Sequence, residues 1–289
     1  MKKIGVVVNF KKEQAVEALK HIASLATGMG FELLADETTA RHCPAFSVCA
    51  INHFIEGGAE AVVVLGGDGT MLEALHRMGD RSLPMMGLNI GSLGFLTSVE
   101  SQRFGDALKM LREDRFRLMP RSVCTVMVRR CDGRLEPLPH ALNDVVINHG
   151  ACAHAIQLEV SLNDRIVADF LCDGIIVATP TGSTAYSLSA NGPILLPDVD
   201  ALIVNVICPH TLTFRPLVVR DDTRIAIRVL ACDTPVVVSS DGRDESLLKT
   251  GDVVDVRRGH SDVVLVELEG YHACDVLQRK LQWGHNLRP

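Results

Sequence analysis

Hydrophobic positions in the first third of the chain follow two periods in turn. The run KIGVVVN, ending at Asn9, is continuous and β-branched and predicts a short buried strand. In the following KKEQAVEALKHIASLATGMG, Ala15, Ala18, Leu19, Ile22 and Leu25 recur at three and four residues. That spacing predicts an amphipathic helix, which Gly28 and Gly30 can end. FELLAD predicts a second strand and FSVCAINHFIEGG a second, weaker helix. AEAVVVLGG reads as a strong buried strand, TMLEALHRM as a helix and LPMMGLNIG as another strand. Strands alternating with helices predict a Rossmann-like α/β domain, a parallel sheet with helices on both faces. The fully apolar strand runs fit strands covered on both sides.

The pattern changes near REDRFRLMPRSV. Beyond it, short β-type runs dominate: SVCTVMVRR, DVVINHG, AIQLEVSLN, GIIVATP, ALIVNVICP, PLVVRDDTRIAIRVL, TPVVVSSDG and DVVDVRRG. Helical spacing returns only in YHACDVLQRKLQWG, at Ala273, Val276, Leu277 and Leu281. The expected organisation is an α/β domain over 1–119, a β-rich domain over 120–266, and a C-terminal segment, 267–289, that packs back on the first domain.

Composition narrows the classes. With 289 residues, two domains are expected, and 47% hydrophobic residues suffice for real cores. A net charge of -6 argues against a broad basic footprint for nucleic acid. No apolar run reaches the length of a membrane helix, and the apolar stretch after the basic start MKK is too short for a signal-peptide core. The 9 cysteines form no CxxC and no zinc-like spacing, so they read as reduced thiols of a cytoplasmic protein, with no protein-built metal site.

Three stretches carry candidate chemistry. VVVLGGDGTMLEAL joins a buried strand to a helix through GGDGT, but it fits neither Walker A, which needs a lysine, nor GxGxxG, because Leu72 stands where the third glycine belongs. Gly67 and Gly69 permit close backbone approach, and free amides at the helix start can hold an anion. Asp68 is then either a helix cap or a carboxylate that serves a phosphate-bound metal or an attacking hydroxyl. In ALNDVVINHG, Asn143 and Asp144 offer donors and acceptors suited to a vicinal diol such as a ribose, or else form an Asx turn. In CDGIIVATPTGSTAYSLSANGPILLP, a buried strand ends in a dense run of small hydroxyl residues followed by Tyr186, whose ring offers a face to a base. Helix capping explains one or two of those hydroxyls, not all. Asp173, before the strand, can accept from an amide or amino group.

GGDGT, GLNIGSLGFLT, LNDVVI and DGIIVATPTGSTAYSLSA, in this order and at these separations, resemble the bacterial NAD kinase family over nearly the whole chain. TPTGSTAYSLSA is highly specific, whereas GGDG is shared with diacylglycerol and sphingosine kinases. The resemblance implies transfer of the γ-phosphoryl group of ATP to the 2′-hydroxyl of the adenosine ribose of NAD, in an active site between the two domains. It implies a divalent metal, magnesium, with ATP and NAD as substrates, and a homo-oligomer, dimer or tetramer, in the cytoplasm. No nucleic acid and no membrane is implied as a partner.

Carried over residue by residue, Asp68 matches the proposed general base, and Asp68 and Gly69 border the ligand. Asn143 and Asp144 match the residues on the NAD ribose, and Asp173 an aspartate that contacts NAD. Thr184, Ala185, Tyr186, Ser187, Leu188 and Ser189 match the segment lining the dinucleotide pocket. His154 falls at a pocket edge, and Arg243 near the other end of the ligand. A carboxylate with a pKa near 4 is a weak base toward an alcohol. It helps only late, as the new oxygen–phosphorus bond acidifies the hydroxyl.

The chain departs from the common family pattern at Asn191, where SANGP replaces SAGGP, and at Leu171, where many bacterial relatives carry arginine. Asparagine tolerates the left-handed backbone that glycine would adopt. Leu171 offers no cation for a pocket-edge salt bridge. His210 and Arg215, in HTLTFRPLVV, read as structural. Two other functions share some of these features. A GGDG-type lipid or small-alcohol kinase would keep Asp68 without needing the Thr/Ser/Tyr segment, and a non-catalytic dinucleotide sensor would not need Asp68.

Overall fold

The computed structural model describes residues 1–79, 83–91, 93–97, 99–150, 154–232 and 235–283, with 244 and 245 as backbone only. Ser92 of the GLNIGSLGFLT motif and the last six residues lie outside the described set. The chain forms two compact units. One comprises Met1–Pro120 and the chain from Val263 onward, the other Arg121–Asp262.

The first unit contains strands β1 (Lys3–Val8), β2 (Glu32–Ala35), β3 (Ser47–Val48), β4 (Ala61–Gly66), β5 (Met85–Asn89), β6 (Val99–Glu100) and β7 (Phe116–Arg121). Its helices are α1 (Ala15–Gly28), α2 (Glu37–His42), α3 (Asp68–Met78) and α4 (Phe104–Arg112). A strand at Val263–Leu268 lies between β5 and β7 in the same sheet, whose order begins β3-β2-β1-β4-β5. The pairs β1–β2, β1–β4 and β4–β5 are parallel. Ile4, Val6, Val63, Leu65 and Leu88 are buried with Leu19 and Ile22 of α1 and Phe104, Leu108 and Leu111 of α4. This is why the strand runs are apolar throughout.

FSVCAINHFIEGG differs from its expected helix. It forms β3, a short 3₁₀ turn at Ile51–His53 and a loop. Phe46, Ile51 and Phe54 are buried there by docking on the sheet, and Phe54 occupies the space a Cβ on Gly5 would need, 2.3 Å from the ring. Tertiary contact, not helical period, sets their spacing.

The second unit contains β8 (Cys124–Arg129), β9 (Leu135–Ala141), β10 (Asp144–Asn148), β11 (Ile156–Leu162), β12 (Arg165–Cys172), β13 (Gly174–Ala178), β14 (Ala201–Ile207), β15 (Leu217–Arg220), β16 (Ile225–Ala231), β17 (Val236–Ser240), β18 (Arg243–Leu248) and β19 (Val253–Arg258). They form two sheets, β15-β14-β13-β10-β17-β18 and β12-β11-β16-β19-β8-β9. One core of Val145, Ile147, Ile175, Val177, Leu158, Val160, Ile227 and Val254 unites the two inner faces. The second sheet alternates buried and half-exposed residues along β8 and β11. In the first sheet, β10, β13 and β14 are also covered on the outer side, where Val146, Ile176, Ala178 and Ile203 pack with Ala190 and Leu195. That cover includes the functional turn. With the strand Val263–Leu268 as β20, the chain ends the described region in α6 (Ala273–Leu281), after the one-turn helix α5 (Tyr186–Ser189) earlier in the sequence. All eight described cysteines are free.

Candidate functional site

In the first unit the chain runs from β1 outward to β2 and later returns to the other side of β1 as β4. The gap between the carboxyl ends of β1 and β4 is therefore the topological switch point, where open parallel sheets take ligands. GGDGT lies there. Gly67 is the N-cap of α3 and Asp68 its first helical residue. A Cβ on Gly66 would lie 2.2 Å from Thr70 Oγ1, whereas Gly67 and Gly69 face open space. Gly66 thus serves packing, and Gly67 and Gly69 leave the helix start approachable. Thr70 Oγ1 accepts from the Gly67 amide at 3.3 Å and from Asn9 Nδ2 at 3.3 Å, tying the end of β1 to the turn.

Asp68 is not a free carboxylate. Its Oδ1 accepts from the Leu96 amide (2.9 Å), the Thr97 amide (3.1 Å) and Thr97 Oγ1 (3.2 Å), and its Oδ2 from the Phe95 amide (2.8 Å). GGDGT and GLNIGSLGFLT, joined by bonds between residues 27 to 29 positions apart, are one structure. Gly94 is required for it, because a Cβ there would lie 1.9 Å from Asp68 Oδ1. Three of the four donors go to Oδ1, which leaves Oδ2 with acceptor capacity for one more proton donor.

In the second unit, Asn143 and Asp144 start β10, and Asp144 pairs with Ala178 at the end of β13. The hydroxyl-rich segment folds as a 3₁₀ turn at Thr181–Thr184 followed by α5. Thr179 Oγ1 donates to the Leu142 carbonyl at 2.6 Å and the Thr179 amide to the Asn143 carbonyl at 2.9 Å. The turn packs so closely that a Cβ on Gly182 would lie 1.9 Å from the Asn143 oxygen. Asn143, Asp144 and the segment from Thr184 to Ser189 are thus held together. The Tyr186 amide donates to the Asp144 carboxylate. Thr184 Oγ1 donates to the Thr181 carbonyl, while Tyr186 is exposed. Ser187 is fully buried and its hydroxyl has no partner. Asn191 adopts φ 62°, the left-handed backbone expected of it.

Asp241 organises this cluster. Its Oδ1 accepts from the Asn143 amide (2.7 Å) and the Asp144 amide (3.1 Å), and its Oδ2 from the Leu142 amide (2.9 Å). Burial, and then the neighbouring Asp241, push the Asp144 carboxyl up to about 7, against the Tyr186 hydrogen bond. Arg243, at the start of β18, pairs in register with Ser240 across the two-residue turn formed by Asp241 and Gly242.

Asp173 and His154 lie elsewhere in this unit. Asp173 precedes β13 at the end opposite Ala178, ~17 Å along the strand from the partner of Asp144. It hydrogen bonds the Cys208 thiol, which raises that thiol's pKa. His154 is exposed in the segment before β11. Within the unit neither joins the Asn143–Tyr186 cluster.

The comparisons with known proteins bear on both units. The ATP-NAD kinase N-terminal domain family matches residues 4–116 and the ATP-NAD kinase C-terminal domain family residues 142–268. A curated NAD kinase of Symbiobacterium thermophilum is 42% identical over 286 residues, 97% of this chain and 99% of that protein. One from Geotalea daltonii is 37% identical over 284 residues, 98% and 99% of the two chains. The chain belongs to the NAD kinase family. Two solved structures share the fold at 23% identity. Yeast NADH kinase complexed with NADH has a TM-score of 0.89 over 100% of this chain and 89% of that one. An Archaeoglobus fulgidus NAD kinase in complex with ATP has 0.76 over 98% and 99%.

Members of this family use a phosphoryl donor, which raises the question of a metal. Among the described residues no three His, Cys, Asp or Glu side chains gather around a possible ion position. Magnesium needs only one or two carboxylates when phosphates supply the other oxygens.

Sequence reasoning missed Asp241 and Gly94. Asp241 was legible as the first residue of a DG pair between strands, a hairpin turn signature, and both Asp241 and Gly242 have positive φ. Gly94 had no local signal. The glycines differ sharply in what they tolerate. Gly182→Ala is expected to destabilise the protein by about 2 kcal/mol or more in urea titration, since the clash is with backbone. Gly69→Ala, facing open space, should stay within about 0.5 kcal/mol of wild type. Equal midpoints for the two variants would refute the close packing of the turn on Asn143.

Proposed function

We propose that the protein is an ATP-dependent NAD 2′-phosphotransferase. The supporting observation is the Asn143–Asp144 pair, locked by Asp241 and by the Thr179–Tyr186 turn, in a chain of this family that also carries the open, carboxylate-bearing start of α3. Asn143 and Asp144 bind the adenosine ribose of NAD, each hydroxyl finding both a donor and an acceptor. Thr184, Ala185, Tyr186, Leu188 and Ser189 line the dinucleotide pocket, with the buried Ser187 behind them and Tyr186 presenting its ring to a base. Asp173 contacts the dinucleotide, and His154 and Arg243 border it.

The phosphates of ATP lie against Gly67, Gly69 and the amides of α3. The ribose 2′-oxygen attacks the γ-phosphorus, the bond to the ADP oxygen breaks, and the hydroxyl proton passes to Asp68 Oδ2, the less occupied oxygen. Most of the acceleration comes from positioning and charge neutralisation, because the carboxylate is too weak a base to act early. A divalent cation, magnesium in this reading, comes with ATP and neutralises phosphate charge.

We also take the protein to be a cytoplasmic homo-oligomer. Exposed Ile166, Val167 and Leu171 on the edge strand β12 support association. No described helix is long and apolar enough to cross a membrane.

The deciding assay incubates purified protein with ATP, Mg²⁺ and NAD and measures NADP. NADP at enzymatic turnover is expected. No NADP, with phosphorylation of a lipid alcohol instead, would overturn the reading in favour of a GGDG-type lipid kinase.

A further inference from the structure

GGDGT carries a carboxylate and no lysine, so the turn itself offers no cationic side chain to an anion placed at the start of α3. The loop after β1 supplies a cation. Lys12 is exposed and makes no ion pair among the described residues. Its Nζ lies 3.3 Å from where a Cβ on Gly91 would stand, over the loop that follows β5. The loop after β1 is fixed to α3 at its base. Asn9 Oδ1 accepts from the Lys11 amide at 3.0 Å while Asn9 Nδ2 donates to Thr70 Oγ1.

A second polar group points to the same place. Asn89, the last residue of β5, pairs in parallel register with Gly66, so its side chain shares the sheet face on which Gly66 meets Thr70 of α3. Asn89 is 4% exposed, and its Oδ1 accepts from the Gly91 amide at 2.7 Å. Its Nδ2 has no partner. A buried amide donor left unpaired costs roughly as much as a lost hydrogen bond and calls for an acceptor. The carboxyl ends of β1, β4 and β5 therefore present an unpaired ammonium, an unpaired amide N–H and the free amides of a helix start, all donors.

We infer that Lys12 and Asn89 complete the phosphate cradle at the start of α3, Lys12 holding the terminal phosphates of the donor's phosphoanhydride chain. Lys12 does from the β1–α1 loop what the lysine of a Walker sequence does from within its own turn. This inference rests on the ATP-dependent reading above. The same chemistry would recognise a nucleoside triphosphate or an inorganic polyphosphate chain.

The test uses the full-length protein and Lys12→Ala, a surface substitution that leaves the fold intact, with calorimetric titration of Mg²⁺–ATP, inorganic tripolyphosphate and adenosine. Loss of one charge-assisted hydrogen bond should weaken ATP binding about 10- to 100-fold. Adenosine binding should be unchanged, and Lys12→Arg should recover part of the loss. A parallel loss for tripolyphosphate would make the chain of phosphates sufficient for the contact. Its absence, with ATP still weakened, would make the nucleotide the required source.

In steady state, the KM for ATP should rise while the KM for NAD stays constant. Unchanged ATP affinity in Lys12→Ala, or an equal loss for adenosine, overturns the inference. The two readings fail separately. Wild-type protein that forms NADP while Lys12→Ala retains full ATP affinity sinks only the role of Lys12. Wild-type protein that forms no NADP but binds ATP through Lys12 sinks only the acceptor assignment.

Discussion

Replacing Asp144 by asparagine is expected to make the protein more stable and to weaken its binding of NAD. The folded protein holds the Asp144 carboxyl at about 7, against an ordinary 3.8, chiefly through burial and then through Asp241. A raised carboxyl pKa means that the native state binds its proton more tightly than the unfolded chain. Stability from this group is therefore full below pH ~4, falls as pH rises toward ~7, and stays low above it. A shift of roughly three pKa units corresponds to about 4 kcal/mol. Asparagine removes the charge but keeps part of the burial cost, so a gain of about 2–3 kcal/mol at pH 8 is expected. The asparagine amide can also donate to Asp241, and its carbonyl can still accept from the Tyr186 amide.

Urea midpoints at pH 5 and pH 8 check the sign. The advantage of Asp144→Asn should be small at pH 5 and large at pH 8, and an equal difference at both would show that Asp144 is not held protonated by its surroundings. NAD affinity should fall about 10- to 100-fold in the variant, as expected when an ionised acceptor for ribose hydroxyls is lost. Wild-type affinity should weaken as pH drops below ~7, and that dependence should vanish in Asp144→Asn. Such a site gives up stability for binding, a common trade at functional positions.

Asp68→Asn should collapse turnover by about 10²- to 10⁴-fold, the range for loss of a positioned proton acceptor. NAD binding, measured by calorimetry, should largely persist if, as proposed, Asn143 and Asp144 hold the ribose. The geometry adds a second effect. Asparagine has one acceptor oxygen, whereas the carboxylate serves the Phe95, Leu96 and Thr97 amides and the Thr97 hydroxyl. With its oxygen toward Leu96 and Thr97, its NH₂ would oppose the Phe95 N–H, at a cost of about 1–3 kcal/mol.

Thermal unfolding and kinetics separate the two effects. Thr97→Val removes only the hydroxyl donor to Oδ1 and should cost stability with a modest loss of turnover. If Thr97→Val lowered turnover as much as Asp68→Asn, the carboxylate would be acting by holding the loop, not by taking the proton.

The order of strands and helices in the first unit was legible because each element there is stabilised locally. A buried parallel strand needs an unbroken apolar run, and a covering helix needs an apolar stripe, and both patterns stand in the chain. The exception, FSVCAINHFIEGG, failed because Phe54 is placed by its fit against Gly5, a contact that no local period encodes.

The candidate residues were legible for a similar reason. Glycines, a carboxylate beside them and a dense run of hydroxyls have few structural uses, so GGDGT, Asn143–Asp144 and TPTGSTAYSLSA stood out. Their chemistry was determined by the sequence; its state was not. That Asp68 is bound at both oxygens, that Asp144 is pushed to about 7 and that Asp241 orders three amides follow from segments far apart in the chain. The parallel order β1-β4-β5 brings the Lys12 loop beside Gly91, a proximity with no local signal in the chain. Desolvation, charge neighbours and unpaired donors are properties of a neighbourhood in space, and only the tertiary structure assembles that neighbourhood.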